Sequence, residues 1–338
     1  MESITFHCKV ITPMFLAGAD GQTPELRAPS IKGAMRFWWR ALNGHLGVEE
    51  MREKEVKIFG GAIGDKAFKS NVFVRIKKQN LNYSQDKFPY HNYSTYYRRG
   101  RMVGSPGREK QMDEFKINIL DYLAFGISDR GNIGRPYITP GSAFQVELKS
   151  VKLSAEQFKG VIKAFVTLVQ YGGLGSRSRN GFGGIKIENN GVERVRIDNV
   201  KSDIAGFTAA SIKTEIVYED EATHNSWDKA LANIGKRYQN ARETVERWHH
   251  YEKRVLLSHP TIIRERGRSK EVDETILENG RHSKPYFMHV EEMGKKQFIG
   301  QILCMPYDFL RRTVYYSQRQ QEEYFKAIDG FNEKIKQK

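Results

Sequence analysis

VTLVQYGGLGSRSRNGFGGIKIE, residues 166–188, decides how the first half of this chain folds. To its left Phe158, Val161, Ile162, Phe165, Val166, Leu168 and Val169 recur at helical spacing. To its right Ile185 and Ile187 alternate with Lys186 and Glu188, as on a half-buried strand. The middle, GGLGSRSRNGFGG at 172–184, is therefore a loop that leaves a helix and enters a strand. Phosphate-cradling loops of the dinucleotide-binding or Walker type run the other way, from strand into helix, so that the helix N-terminus faces the pyrophosphate. The spelling disagrees as well, because no GK[ST] follows the first glycines and GxGxxG lacks its last glycine. What remains is a permissive backbone, with glycines such as Gly175 and Gly181, carrying Arg177, Arg179 and the amide of Asn180. That combination suits a phosphodiester chain. The competing reading is a solvated connector without a ligand.

Working outward, Ile4, Phe6, Cys8 and Val10 alternate as a first strand, and Ala28-Pro29-Ser30 leads into a helix that runs to about Asn43-Gly44. Val72, Val74 and Ile76 make a second strand and Phe144, Val146 and Leu148 a third. The apolar helix 155–171, the glycine loop and a strand over 184–188 complete a βαββαβ order. Between the second and third strands lies a long insertion, about 80–140, rich in Tyr, Arg and Gly and including YSTYYRRGRMVGSPGR at 93–108. Insertions of that length are functional or disordered more often than simple connectors.

The second half reads as a strand near 211–218, a long helix over 226–250, a hairpin from Tyr286 to Cys304 turning around Gly294, and a last helix over 317–336. Along the long helix Trp227, Leu231, Ile234, Tyr238, Ala241, Val245 and Trp248 form a narrow apolar seam, which must cover either its own sheet or a partner. A second, incomplete version of the first motif fits this order.

The chain has 338 residues, room for two domains, divided here as 1–195 and 196–338. It carries 55 Lys plus Arg against 40 Asp plus Glu, a formal net charge of +15, which favours a polyanionic partner, nucleic acid first. No apolar run has the length of a membrane span, and MESITFHCKV lacks the layout of a secretory signal, so the expected location is cytoplasmic with no membrane partner. Cys8 and Cys304 match no metal spacing and read as reduced core thiols.

SIKGAMRFWWRALNG at 30–44 puts Ile31, Met35, Trp38 and Leu42 on one helical stripe and Lys32, Arg36 and Arg40 on a second. Trp39 projects onto the boundary, where an indole half buried still offers a face to a base. Three cations with an adjacent aromatic make a nucleic-acid surface; the alternative is a solvated basic face with Trp39 in the core.

TPMFLAGAD at 12–20, PSIKGAMRFWWRAL at 29–42, IFGG at 58–61 and the glycine loop together resemble the RAMP-superfamily subunits of type III-B CRISPR Cmr effector complexes, most closely the first-numbered subunit. The resemblance covers residues 1–190. It implies an α+β fold of two ferredoxin-like, RRM-related βαββαβ domains, the second incomplete or modified. It also implies no cofactor, no metal and no small-molecule substrate. The implied role is a non-catalytic RNA-binding subunit in antiviral defence, holding the 3′ part of the guide RNA and its RNA target beside other Cmr subunits. Carried onto this chain, the RNA-contacting parts are Lys32, Arg36, Trp39 and Arg40 of the helix, Arg98 and Arg99 of the insertion, and Gly175, Arg177, Arg179, Asn180 and Gly181 of the loop. RRM domains stack bases on aromatics of their central strands; Arg179–Ile185 faintly echoes such a strand motif, but Gly184 replaces an aromatic and the stretch belongs to the last strand, so backbone and groove contacts are expected more than sheet-face stacking.

A metal-independent ribonuclease sets a general base and acid around a 2′-hydroxyl. Of nine histidines, His45 beyond the basic helix and His91 in the insertion are the candidates, and Asp20 is the best lone carboxylate. None carries a diagnostic pattern, so no catalytic residue is assigned. A guide-RNA-processing endoribonuclease and an assembly scaffold that docks through helix 226–250 are the alternative functions.

Overall fold

The computed structural model describes residues 2–98, 112–189, 191–197, 214–245, 257, 262–265, 268–271, 284–306 and 318–337. Four strands, β1 (Ser3–Val10), β2 (Val72–Asn80), β3 (Ala143–Ser150) and β4 (Ile185–Ile187), form an antiparallel sheet in the order β4-β1-β3-β2. Its register places Phe6 opposite Val146 and Cys8 opposite Phe144, with Val146 in turn opposite Ile76. The apolar member of each alternation therefore falls on one face. Helices α1 (Ala28–Leu42) and α4 (Ala155–Tyr171) cover that face; Ile31, Met35, Trp38, Phe165 and Leu168 join Phe6, Val10 and Val146 in one core. Ser154 and Gln157 form a capping box at the start of α4, which fixes where the chain enters it.

A second helix follows α1 at once. In α2 (Val48–Phe59) the buried Met51, Glu55, Val56, Ile58 and Phe59 lie on the inner face of an otherwise charged segment, which the apolar pattern alone did not reveal.

The second half forms a three-stranded antiparallel sheet from β5 (Glu215–Glu219), β6 (Tyr286–Gly294) and β7 (Gln297–Cys304), in the order β5-β7-β6. Helix α5 (Trp227–Val245) packs on β6 and β7, and α6 (Gln318–Lys336) packs on α5 and β5. The seam is resolved in favour of its own sheet: Leu231, Ile234, Tyr238 and Ala241 are all buried in this second core, where the rings of Tyr238, Tyr286 and Phe331 meet. Trp248, at the far end of the expected helix, lies outside the described residues.

The described residues of the insertion include a ribbon of strands 92–98 and 112–118 and a short helix α3 (Ile119–Leu123). Its apolar residues Phe88, Tyr93, Ile119, Leu120 and Leu123 are buried in the second core rather than the first, together with Phe15 and Phe182. His91 meets Asp228 of α5 at 2.7 Å. The insertion thus bridges the two halves.

Polar contacts across the two sheets complete the junction. The Lys9 ammonium pairs with Glu292 at 2.8 Å, Gln301 Nε2 donates to Gln170 O at 2.8 Å, and His289 Nδ1 donates to Gly172 O at 2.9 Å. Burial pushes the His289 imidazole below its ordinary range, so it is held neutral. A depressed folded value means its contribution to stability is complete above about pH 6.5 and is lost as the pH falls through the folded value. We expect His289→Gln, whose amide still donates to Gly172, to lose less stability than the parent between pH 7 and pH 5. The difference is bounded by about 1.4 kcal/mol per pH unit for one proton. Paired denaturant titrations at the two pH values check this; parallel losses would remove His289 as an acid trigger.

Candidate nucleic-acid interface

The glycine loop does not stand free. Its backbone is laced to residues 12–15, which leave β1: Ser176 N donates to Phe15 O at 2.9 Å, Gly183 N to Pro13 O at 2.8 Å, and Thr12 Oγ to Gly181 O at 2.8 Å. Leu174 and Phe182 are buried. Gly175 and Gly181 do take positive φ, +88° and +87°, but their bare faces are already filled. A Cβ on Gly175 would sit 2.8 Å from the Phe15 carbonyl carbon, and one on Gly181 would run into the Leu231 side chain. The side of each glycine where a Cβ would stand is therefore packed against protein and not left open.

Arg179 and Asn180 are also turned to the protein. The Arg179 guanidinium stacks over Phe287 at 4.5 Å and Phe37 at 5.5 Å and donates to Lys284 O. Asn180 Nδ2 donates to Leu123 O at 2.6 Å. Arg179 thus ties the loop to the second half and Asn180 ties it to the insertion.

The tip of the loop differs. Ser176 and Arg177 line an open cleft of about 550 Å³ with Gly21, Gln22, Gly126, Ile127, Gly134 and Arg135. Arg135 Nη2 donates to Ser176 Oγ at 2.5 Å, while its buried Nε has no partner. The Arg177 guanidinium lies against Gly126, where a Cβ would stand 2.7 Å from Nη2. Burial first, and Arg135 second, draw the Arg177 value down. Among the described residues no carboxylate partners either arginine. Farther in, the Lys284 ammonium lies 4.6 Å over the Tyr238 ring and is lowered well below the lysine range by burial and then by Arg242, Arg179 and Arg177. Of these basic groups Arg135 and Arg177 line the open cleft, where two like charges together favour an anionic ligand.

The α1 stripe is largely consumed within the protein. Arg36 Nε and Arg40 Nη1 both donate to Glu55 Oε1 at 2.6 Å, and Lys32 Nζ donates to Ser70 Oγ at 2.5 Å. Trp39 is 4% exposed and packs on Phe59, so the half-exposed indole expected from the helical projection is corrected: it has no face to offer a base. Arg98 ends the strand 92–98, its side chain lying outside the described residues, as does Arg99.

The catalytic candidates are not assembled. His45 is exposed beyond α1, and the His91 ring faces Asp228. Asp20 closes its own turn, accepting from the backbone of Gln22 and Thr23 and from the Thr23 hydroxyl, which holds its carboxyl below the usual range. Among the described residues no group of three His, Cys, Asp or Glu side chains is placed to hold a metal. Cys8 and Cys304 are buried free thiols, Cys304 pushed up to about 12 by burial. No described helix is long and apolar enough to cross a membrane. Arg135 is the residue the sequence reading missed; its signal was the glycine-spaced DRGNIGR at 129–135 inside the insertion.

The RAMP superfamily matches residues 7–186. CRISPR system Cmr subunit Cmr1-2 of Pyrococcus furiosus is 32% identical over 199 residues, which span 56% of this chain and 96% of that protein. Cmr subunit Cmr1-1 of the same organism is 32% identical over 169 residues, 48% of this chain and 41% of that one. Among solved structures, a chain of a type III-B Cmr-beta complex bound to cognate target RNA shares the fold with a TM-score of 0.52, at 12% identity over 98% of this chain and 99% of that chain.

Proposed function

Because the chain belongs to the RAMP superfamily, we propose that it is a non-catalytic, RNA-binding subunit of a CRISPR Cmr RNA-targeting complex, holding guide RNA, target RNA or both beside other Cmr subunits. The β4-β1-β3-β2 order of the first sheet supports a ferredoxin-like unit over 1–195, and the β5-β7-β6 order supports a version of it without the closing strand over 196–338. One observation carries the RNA reading: Arg135 and Arg177 line an open cleft and, among the described residues, no carboxylate neutralises them. Phosphates are the partners such a pair lacks. The exposed parts of Arg36 and Arg40 add positive potential at longer range. Sequence choice then lies in guide pairing, and affinity in counterion release.

The test is binding of end-labelled single-stranded RNA across a salt series. Arg177→Ala and Arg135→Ala are each expected to weaken binding about tenfold and to reduce the log–log salt slope by about 0.7. Binding unchanged in both variants would overturn the site. Cleavage of the RNA by the parent protein would overturn the non-catalytic assignment.

A further inference from the structure

We propose that a second cleft, walled by α4, β4, β6 and the segment 192–195, binds a small uncharged heterocyclic lactam, whose N–H donates to His289 Nε2 and whose carbonyl accepts from Gln170 Nε2. This cleft shares no lining residue with the one at the loop tip, and neither of its two polar atoms enters the RNA-binding reading.

Gln170 and His289 both line the cleft, and they are only 8% and 3% exposed. The Gln170 amide is fixed in orientation: Val195 N donates to its Oε1 at 2.9 Å, and a backbone N–H meets only an acceptor. Its Nε2 is therefore on the other side, where it is buried without a partner. Buried donors are left unpaired at a cost, and few native ones stay so. The His289 tautomer is fixed as well. Nδ1 faces the Gly172 carbonyl at 2.9 Å and carries the proton, and burial keeps the ring neutral, so Nε2 is a bare acceptor. Among the described residues no hydrogen bond engages it. His289 stands opposite Gln301 across β6 and β7, and the two reach Gly172 O and Gln170 O at the end of α4. One donor and one acceptor thus open on the same small space.

The rest of the wall decides the class of ligand. Val166, Val169, Ile185 and Ile187 are apolar, which suits a flat hydrocarbon body. The charges present neutralise one another, Arg194 with Glu291 at 2.5 Å and Lys186 with Glu292 at 3.6 Å, so nothing there draws an ion. The volume of about 200 Å³ exceeds the roughly 30 Å³ of a water several times over, yet falls below the roughly 300–1,000 Å³ of drug-sized sites. One or two fused rings fill it. A lactam sets an N–H beside a carbonyl on such a ring, whereas a carboxylate would bring a second acceptor against the His289 lone pair. The wall is also in place beforehand, because Val195 is held to Gln170 through its N–H and to the Tyr171 hydroxyl through its carbonyl, the latter at 3.1 Å.

The test is calorimetric titration of the full chain with 2-quinolone and with 1-methyl-2-quinolone, which keeps the ring and carbonyl but lacks the N–H. The parent is expected to bind 2-quinolone with a Kd below about 1 mM and the methylated compound at least about tenfold more weakly. Gln170→Leu should weaken 2-quinolone about tenfold, and Val192→Trp, which fills the cleft from a half-buried position, should abolish binding. Should Gln170→Leu fail to fold, the pair of compounds still tests the site on the parent alone. No binding of 2-quinolone, as in a cleft that holds ordered water only, or equal affinity for the two compounds, would overturn the proposal. A uracil base carries the same edge, so displacement of 2-quinolone by oligouridylate would overturn a free small molecule as the ligand. Loss of RNA binding by the parent would leave the lactam result standing, and the two readings fail separately.

Discussion

Gly183→Ala is expected to remove at least ~4 kcal/mol of stability, a large fraction of the roughly 5–15 kcal/mol that a folded domain possesses. Gly141→Ala should cost only about 1 kcal/mol. Both glycines have positive φ, +70° and +89°, so both variants carry the left-handed penalty of an L side chain. They differ in what surrounds the new methyl group. Around Gly141 nothing lies within 4 Å. At Gly183 the Cβ would fall well inside contact distance of the Leu174 carbonyl oxygen and 2.9 Å from its carbon. Leu174 cannot step aside, since its N–H donates to Gly183 O at 2.9 Å and its side chain is buried in the first core. Gly183 N is in turn bonded to Pro13 O, so displacement would also pull the segment leaving β1. Urea denaturation of the two variants separates backbone strain from collision. Equal losses would mean that the loop relaxes and that its glycines serve something other than packing.

That contrast bears on what the sequence could reveal. The strands of the first sheet were legible because alternation is a local property: Phe6, Cys8 and Val10 point one way whatever lies beyond them. The same holds for α4 and for the α5 seam. The site was only partly legible. A glycine signals that something approaches the backbone closely, but not whether it is a ligand or another part of the chain; here Phe15, Leu231 and Leu174 fill the spaces at Gly175, Gly181 and Gly183. Likewise, a stripe of cations does not show its counter-charge when the acid sits on a different helix. The four segments that carry the family wording prove to be neighbours in space. Gly172 lies beneath the Trp38 indole, Arg36 reaches Gly60 O, and Gly183 N meets Pro13 O. Much of that shared wording therefore records a packing unit, and the open cations come from the loop tip and from Arg135 in the insertion, which no local pattern joins.

Glu55→Ala provides the sharpest separation of these roles. Glu55 is 7% exposed, and its carboxylate accepts from both Arg36 and Arg40, so its removal strands two guanidiniums that α1 turns towards α2. Breaking a buried ion pair from one side costs about 3–5 kcal/mol. Here the arginine side chains keep about a third of their surface in water, at 32% and 38%, so solvent screens part of that loss and about 2–3 kcal/mol is the expected figure. RNA affinity should hold or rise, because the variant gains positive charge on the same surface. Arg36→Ala should show the complementary behaviour, destabilising by about 2 kcal/mol while losing less RNA affinity than Arg177→Ala. Measuring unfolding and RNA binding on the same preparations decides the matter. If Arg36→Ala melts like the parent yet binds RNA as poorly as Arg177→Ala, the helix stripe faces the RNA, and the ion pair with Glu55 is an arrangement that RNA displaces.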